Sequence, residues 1–546
     1  MRVLKPMYVV AIAVATLTSC SSIKNMAVPT MDTAISMAAK QGTVSDEQFN
    51  HWAHADLETD TIPGMSLDKA YQFLEGKTGE TVIVAVIDSG IDIEHEDLKD
   101  VLWTNPKEIA GNNIDDDKNG YVDDIYGWNF LGGNGVAAPE QLEITRIVAK
   151  LNSRFEGKTA ESISEEEKAD FEKYQEYLES YTTASKNHFN TMARLDQIEG
   201  VMNSVKEFIG KETLTLEDLK ALKTDDVAIQ GQANGLIGMF SNGFDEKAFN
   251  SYYDNLKNNK NYDLDFDGRA IVGDKPEDIT DVNYGNGFVI GSKDVESHGT
   301  HVAGIILASR NNGLGMHGVA HNAKLMSVRA VPDGDERDKD VALAIRYAVD
   351  NGAKVVNMSF GKSYSPHRHW VIDAIKYAEK HDVLLVHAAG NSSEDIDVKD
   401  NWPNDSYDKI NEVADNVLTI GAMSVNYNEA LPAGFTNYGK LNVDVFAPGV
   451  KIYASTPNNE YQFLQGTSMA SPAVAGIATL IMSQYPKLTA AQVKQIILDS
   501  GLPLKTKVIV AGNYYDIRPF ETLSSSGKIV NAYNALILAD SVSKSN

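Results

Sequence analysis

The chain has 546 residues, of which 43% are hydrophobic, and its 49 Lys and Arg against 76 Asp and Glu give a formal net charge of −27 at pH 7. This composition excludes an intrinsically disordered chain, and the length predicts a globular protein with a sizeable core. So acidic a surface repels the phosphate backbone of nucleic acids and attracts divalent cations, so we expect no nucleic-acid partner.

The first twenty residues have the pattern of a bacterial export signal. Two basic residues, Arg2 and Lys5, precede an apolar run at positions 8–15, which is too short to span a bilayer. The run leads to Leu-Thr-Ser-Cys at positions 17–20, which resembles the lipobox of bacterial lipoproteins, where the cysteine is lipidated. We therefore predict a lipoprotein signal peptide over residues 1–20, with an ordinary secretory leader as the alternative.

Cys20 is the single cysteine of the chain, so no internal disulfide can form. After lipidation of Cys20, residues 21–46 would form a polar tether and residues 47–546 the folded domain. The lipid would hold the protein at a membrane of the cell envelope, outside the cytoplasm, and we expect the outer membrane. No later stretch of the sequence is apolar for long enough to cross a membrane.

Short runs rich in β-branched and apolar residues predict buried strands at residues 81–87, 324–330, 354–360, 383–388, 417–424 and 443–447. Helical patterns, such as those at residues 341–350 and 367–380, separate these strands. Strands that are apolar on both faces and alternate with helices predict an α/β fold, with a mainly parallel sheet covered on both sides. Ligands of such sheets bind beyond the carboxyl ends of the strands.

An acidic loop follows the first predicted strand. Residues 113–124 contain five Asp residues and place side-chain oxygens at alternate positions around a glycine. Their mutual repulsion is unfavourable unless a divalent ion offsets it, so we predict a structural calcium ion, with a solvated acidic turn as the alternative. The predicted ligands are Asp115, Asp117, Asn119, the Tyr121 carbonyl, and Asp123 or Asp124. A second acidic run at residues 263–274 is a weaker candidate, with Asp274 as its last ligand.

A block at residues 136–260 is predicted to be a helical insertion that interrupts the α/β domain. Two segments, 164–167 and 215–218, have the pattern of capping boxes, and four aromatic or apolar residues follow the first at helical spacing. The charged runs of the block are typical of solvated helix faces. We expect the insertion to shade a cleft or to dock a substrate or partner.

Polar residues of catalytic type stand in short motifs at residues 86–90, 297–304, 388–391 and 466–472. Asp88 ends the first predicted strand, and His298 opens a predicted helix. Ser468 opens a long apolar helix, and Asn391 follows another predicted strand. These are the places where an open α/β sheet positions chemistry.

A serine hydroxyl needs a base to become a nucleophile at neutral pH, and His298 suits that role because an imidazole has a pKa of about 6.5. Asp88 would hold the imidazole tautomer and stabilise the imidazolium. At a helix N-terminus, Ser468 lies where free N–H groups favour an oxyanion, and the Asn391 amide would complete that oxyanion hole. The residues therefore predict acyl transfer through an Asp-His-Ser triad.

Two other chemistries fit the motifs less well. His298 and His301 stand three residues apart, but no Glu lies between them as in the His-Glu-x-x-His zinc motif, so we expect His301 to be a packing residue. The serine motif also lacks the Gly-x-Ser-x-Gly elbow of α/β-hydrolase esterases.

In the order Asp, His, Ser, the motifs resemble those of the subtilisin-like serine peptidases. The resemblance covers about residues 81–126 and 261–536. It implies a seven-stranded, mainly parallel sheet between helices, with Asp88 orienting the base, His298 as general base then acid, Ser468 as nucleophile and Asn391 as oxyanion donor. It also implies that a peptide substrate pairs as a β-strand with a cleft segment formed by Ser359, Phe360 and Gly361.

The resemblance implies a lipid-anchored serine endopeptidase that acts on peptides or proteins through an acyl-enzyme, with structural calcium, and we expect it to be a monomer. The alternative is a catalytically idle surface lipoprotein that binds peptides in the same cleft. The presence of Asp88, His298, Ser468 and Asn391 disfavours this alternative.

Overall fold

The computed structural model describes residues 44–241 and 244–545. The predicted signal peptide, Cys20 and nearly all of the predicted tether lie outside the described residues. None of the helices in the described residues is both long and apolar enough to cross a membrane.

The strands of the described chain are β1 (Val82–Asp88), β2 (Gly127–Asn129), β3 (Ala323–Arg329), β4 (Val355–Met358), β5 (Leu384–Ala388), β6 (Val417–Met423), β7 (Val445–Pro448), β8 (Ile452–Thr456), β9 (Glu460–Leu464), β10 (Leu502–Pro503), β11 (Lys507–Val510), β12 (Asn513–Pro519) and β13 (Lys528–Ile529). The helices are α1 (Asp46–His51), α2 (Leu57–Asp60), α3 (Leu67–Phe73), α4 (Glu143–Phe155), α5 (Lys168–Ile209), α6 (Leu216–Ala221), α7 (Val227–Ser241), α8 (Glu246–Asn258), α9 (His298–Leu307), α10 (Asp338–Asp350), α11 (Arg368–Lys380), α12 (Thr467–Gln484), α13 (Ala490–Ser500) and α14 (Ala532–Ser543).

In the described residues the main sheet has nine strands in the order β10-β13-β7-β6-β5-β4-β1-β3-β2. Neighbouring strands are parallel, except that β10 and β13 are antiparallel. This confirms the predicted α/β class, although the sheet is wider than the seven strands expected. The extra width comes from strands of two or three residues at its edges, which are too short to leave a sequence pattern.

Alternate residues of β1 pack on opposite faces of the sheet, as the period of a strand requires. Val84 and Val86 belong to the hydrophobic cluster that contains α9 and α12. Ala85 and Ile87 belong to a second cluster, with α10 and α11. Helices therefore cover both faces, which explains why β1 is almost continuously apolar.

Helices α4 to α8 occupy most of residues 143–258, in agreement with the helical character predicted for this block. The predicted capping box of α6 is confirmed, because the Thr215 hydroxyl accepts from the Asp218 N–H and the Asp218 carboxylate accepts in return from the Thr215 N–H. The other predicted box is not formed. The Ser164 hydroxyl donates to the Glu167 carboxylate instead. A 3₁₀ turn occupies residues 165–167, and α5 begins after it, at Lys168.

Residues 44–80, which we call the N-terminal arm, pack against the same core as α9 and α12. Trp52 is 1% exposed, and its ring N–H donates to the carbonyls of Val450 and Lys451, both at 3.2 Å. The Met65 carbonyl accepts from the Ala532 N–H at 2.7 Å. The arm is thus an integral part of the folded domain.

Candidate active site

The predicted catalytic residues meet at the carboxyl edge of the sheet. Asp88 is the last residue of β1, and Asn391 lies three residues beyond the end of β5. His298 is the first residue of α9, and Ser468 is the second residue of α12. Parallel strands end at the same edge, so residues 210 positions apart, such as Asp88 and His298, come into contact.

Asp88 and His298 form a hydrogen-bonded pair. The Nδ1–H of His298 donates to Asp88 Oδ1 at 2.8 Å, and the Ser89 N–H donates to the same oxygen at 2.8 Å. Removal of the imidazole from water lowers its pKa, but the Asp88 charge and hydrogen bond outweigh this, so the pKa of His298 is raised above 6.5. The pair leaves Nε2 as the basic nitrogen, as a general base requires.

The close approach of α9 to the end of β1 depends on Gly299. A Cβ atom at this position would lie 2.3 Å from the Gly90 carbonyl oxygen and 3.2 Å from Asp88. Any side chain larger than hydrogen would therefore push His298 away from the carboxylate that orients it.

The Ser468 hydroxyl is hydrogen-bonded to a backbone carbonyl and not to the imidazole. It donates to the carbonyl of Ser359 at 3.0 Å, and no hydrogen bond joins it to His298 among the described residues. The Ser359 hydroxyl donates in return to the Ser468 carbonyl at 3.0 Å. Catalytic hydrogen bonds often tighten only when substrate is bound, so the absence of this bond in the described residues does not argue against His298 as the base.

A buried polar network fixes the start of α12 against the end of β4. The Ser359 hydroxyl accepts from the Asn357 amide at 2.9 Å, and the Asn357 side-chain oxygen accepts from the Ser471 hydroxyl at 2.9 Å. Neither Asn357 nor Ser471 was predicted as a site residue, although Ser471 belongs to the motif at residues 466–472 and Asn357 to the predicted strand at residues 354–360. The signal that could have found them is a polar residue in an otherwise apolar strand or helix.

The Asn391 amide is oriented by a residue that sequence reasoning missed. Its Oδ1 accepts from the Thr467 N–H at 2.9 Å and from the Thr467 hydroxyl at 3.0 Å, which leaves its Nδ2 as a donor. The same hydroxyl accepts from the Gly390 N–H at 3.0 Å. Thr467 therefore connects the loop that follows β5 to the N-terminus of α12. Its hydrogen bonds place the Asn391 amide beside the candidate nucleophile.

A cavity of about 270 Å³ opens beside Ser468. Phe360, Gly361 and Asn391 line it, as the predicted cleft requires. Ser359, the third predicted residue of the cleft, lies next to this cavity, because its carbonyl accepts a hydrogen bond from the Ser468 hydroxyl. The Phe360 carbonyl accepts from the ring of the buried His387 at 2.8 Å, which holds this segment in place.

The acidic loop brings three carboxylates together. Side-chain oxygens of Glu108, Asp115 and Asp117 all lie within 4.8 Å of one another, an arrangement that suits a cation. Glu108 was not predicted, because it lies outside the run of alternating oxygens. Asn119 is also close, since its N–H donates to both Asp115 and Asp117.

Two of the other predicted ligands, Asp123 and Asp124, accept hydrogen bonds from protein groups. Asp123 accepts from the backbone N–H groups of residues 111 and 113. Asp124 is buried and accepts from Asn105, Asn119 and Tyr347. Burial raises the pKa of Asp124 to about 6, although these hydrogen bonds lower it. The Tyr121 ring packs against Trp128 and Tyr347. These residues shape the loop around the three-carboxylate cluster.

The surroundings of His301 and Asp274 bear on the two weaker candidates for metal binding. His301 is fully buried and its Nε2–H donates to the carbonyls of Ile452 and Gln462, both at 3.1 Å, which confirms its packing role. Asp274, the last ligand suggested for the second acidic run, is buried against Arg269 and Lys339 at 2.6 and 2.8 Å. These cations already balance its charge, which argues against Asp274 as a calcium ligand, and a site at the second acidic run stays a prediction.

The chain is similar in sequence to proteins named as proteases. It is 39% identical over 221 residues to the thermophilic serine proteinase of Bacillus sp. (strain AK1), covering 40% of this chain and 49% of that protein. It is 37% identical over 217 residues to subtilisin DY of Bacillus licheniformis, covering 38% of this chain and 73% of that protein. Subtilisin-like protease 1 of Plasmodium falciparum (isolate 3D7) is 33% identical over 296 residues, 50% of this chain and 42% of that protein.

The chain thus spans about half the length of the first and third of these relatives. Because a model of the subtilase family matches residues 79–508, which include all four predicted catalytic residues, the chain belongs to the subtilase family.

Proposed function

We propose that the protein is a subtilisin-like serine endopeptidase that hydrolyses peptide bonds in peptides or proteins. The observation that carries the proposal is the 2.8 Å pair of His298 and Asp88, which lies at the same sheet edge as Ser468 at the start of α12 and the Asn391 amide. The membership in the subtilase family supports the same reaction.

The proposed reaction begins when the Ser468 hydroxyl leaves the Ser359 carbonyl and turns towards His298. Its oxygen attacks the peptide carbonyl while Nε2 of His298 takes the proton, and Asp88 stabilises the imidazolium. The oxyanion receives hydrogen bonds from Asn391 Nδ2 and from N–H groups at the start of α12. His298 then protonates the leaving amine, and water hydrolyses the acyl-enzyme by the same route.

A fluorophosphonate probe tests this function, because it labels only an activated serine. We expect the purified protein to be labelled, and Ser468→Ala to abolish labelling without a change in the circular dichroism spectrum. Absence of labelling in calcium-loaded protein would support the alternative of an idle peptide-binding protein. A preference for ester over peptide substrates in the labelled protein would indicate an esterase.

We also propose that the acidic loop binds a structural calcium ion. Glu108, Asp115 and Asp117 would hold it, and their clustered carboxylates fit a hard divalent cation. The ion would offset the repulsion between these carboxylates and supply no reactive group. The carbonyl of Tyr121 and the side chain of Asn119 remain candidate ligands from the sequence.

We further propose that the protein is a monomeric lipoprotein anchored through Cys20 in the cell envelope, outside the cytoplasm. The leader sequence and the single cysteine support this proposal. Mass spectrometry of the mature N-terminus is expected to find a diacylated or triacylated cysteine at position 20. Cys20→Ser should release the protein from the membrane fraction, and membrane retention of that variant would contradict the anchor.

A further inference from the structure

The cavity beside Ser468 has a strongly acidic wall. At one end it is lined by Thr467, Ser468 and Asn391. The acidic residues that line it are Asp335, Glu336, Glu394 and Asp400, against one basic residue, Lys362. The candidate nucleophile and these acidic residues therefore line the same cavity of about 270 Å³.

The cations close to this wall are already paired. The Lys362 ammonium is buried and lies 2.8 Å from both Glu143 and Asp338, so two carboxylates share its charge. Asp400 pairs with Lys409 at 2.8 Å. By contrast, no described Lys, Arg or His lies within ion-pair distance of the other three acidic residues of the wall, Asp335, Glu336 and Glu394.

Glu336 is the most unusual member of the wall. It is only 3% exposed, and its Oε1 has no hydrogen-bond donor among the described residues. Burial raises the pKa of its carboxyl, and the charge of Asp335 adds to this, while Lys362 acts in the opposite direction. The charged form of such a buried carboxyl is unfavourable without a donor or cation, so a positively charged ligand in the cavity would stabilise it.

Helix α4 of the inserted block holds this wall in place. The Glu143 N–H donates to the Asp335 carboxylate at 2.8 Å, and the Arg146 guanidinium donates to the Asp335 carbonyl at 2.9 Å. Arg146 also pairs with Glu143. These contacts hold Asp335 in a fixed position, and a preorganised carboxylate of this kind favours the binding of a cation.

We propose that this cavity binds the Lys or Arg side chain of a peptide substrate, close to the scissile bond. The proposal rests on the proposed endopeptidase function, because the cavity is continuous with the nucleophile. A bound cation would supply the donors that Glu336 lacks and would balance Asp335 and Glu394. Substrates with a neutral or acidic side chain would leave these carboxyls unpaired and would be cleaved more slowly.

Peptides that differ only in one charge test this specificity. A series carries Lys at successive positions before the scissile bond, and its matched partners carry Nε-acetyl-lysine there; a second series compares Arg with citrulline. We expect kcat/KM of the wild-type enzyme to be at least tenfold higher for the charged peptide at one position. The ratio of the two rates should fall at least threefold in Glu336→Gln and in Glu394→Gln.

Glu172→Gln, an exposed charge on α5, is the matched control and should keep the wild-type ratio. Glu394 is only half-buried, so its variant keeps the test valid if Glu336→Gln fails to fold. Equal cleavage of charged and neutral peptides by enzyme that the fluorophosphonate labels would overturn the specificity and leave the proposed function intact. Wild-type ratios in both cavity variants would also overturn it, whereas an unlabelled wild-type protein would refute the function itself.

Discussion

The charge balance at His298 determines where activity begins on the pH scale. Asp88 holds the pKa of the imidazole above 6.5, and a general base works only when it is unprotonated. We expect kcat/KM to fall as the pH drops through that raised pKa, so the acid limb should lie above 6.5. Measurement of kcat/KM from pH 5 to 9 checks this, and a limb below 6 would contradict it.

The variant Asp88→Asn isolates the contribution of the carboxylate. It removes the charge that raises the pKa of His298 and favours the wrong tautomer, so the acid limb should move down and kcat should fall by about 10⁴-fold. Unchanged kcat with Asn at this position would show that the pair observed at 2.8 Å does not take part in the reaction.

Thr467 orients the oxyanion donor, and its hydroxyl can be removed at nearly constant shape. In Thr467→Val we expect kcat to fall about tenfold with little change in KM, against about 100- to 1,000-fold in Asn391→Ala, which removes the donor itself. Thr191→Val on α5 is the control. If Thr467→Val instead raised KM by about tenfold and left kcat unchanged, the residue would have a role in substrate binding rather than in transition-state stabilisation.

The candidate catalytic residues could be located from the sequence, because each stands in a motif at a strand end or a helix start. Their supporting partners could not. Thr467 sits beside the nucleophile, but its role depends on an Asn from another strand. Glu108 joins Asp115 and Asp117 only after the loop folds back on itself. Contacts between residues that are far apart in the chain leave no regular spacing in the sequence from which they could be predicted.

At the level of elements, Lys362 joins helix α4 to the first turn of α10. Its ammonium lies between Glu143 and Asp338, and all three side chains are largely buried. Lys362→Met should lower the free energy of unfolding by about 3–5 kcal/mol, because it leaves two buried carboxylates without their cation. Urea denaturation measures the change, and Lys376→Met on the exposed face of α11 should be nearly neutral.

The central strands could be located from sequence because they are apolar on both faces, whereas other strands could not. The β8–β9 hairpin is largely exposed along β9, and the antiparallel pair β11–β12 is exposed along β12, so neither has a continuous apolar run. The short edge strands β10 and β13 depend on neighbouring strands for their geometry. The boundaries of 136–260 for the insertion remain a prediction.

For the whole molecule, a net charge of −27 without any internal disulfide makes a divalent ion an effective source of stability. A calcium site filled at 100 times its Kd adds about 2.7 kcal/mol to the free energy of unfolding. We expect EGTA to lower the thermal midpoint, and excess calcium to restore it.

The combined variant of Glu108→Gln and Asp117→Asn locates this effect. Its midpoint should no longer respond to calcium, while Asp225→Asn, an exposed charge outside the loop, should respond as the wild type does. A calcium response that survives in the combined variant would place the ion elsewhere in the protein.

The burial of Trp52 in the N-terminal arm limits proteolytic maturation. Loss of the segment that contains this residue would take an indole ring out of the cluster formed with α9 and α12, and would leave its two carbonyl partners, those of Val450 and Lys451, without their donor. We therefore expect a stable mature form to lose residues only upstream of Trp52, and to keep the rest of the arm as part of the folded domain.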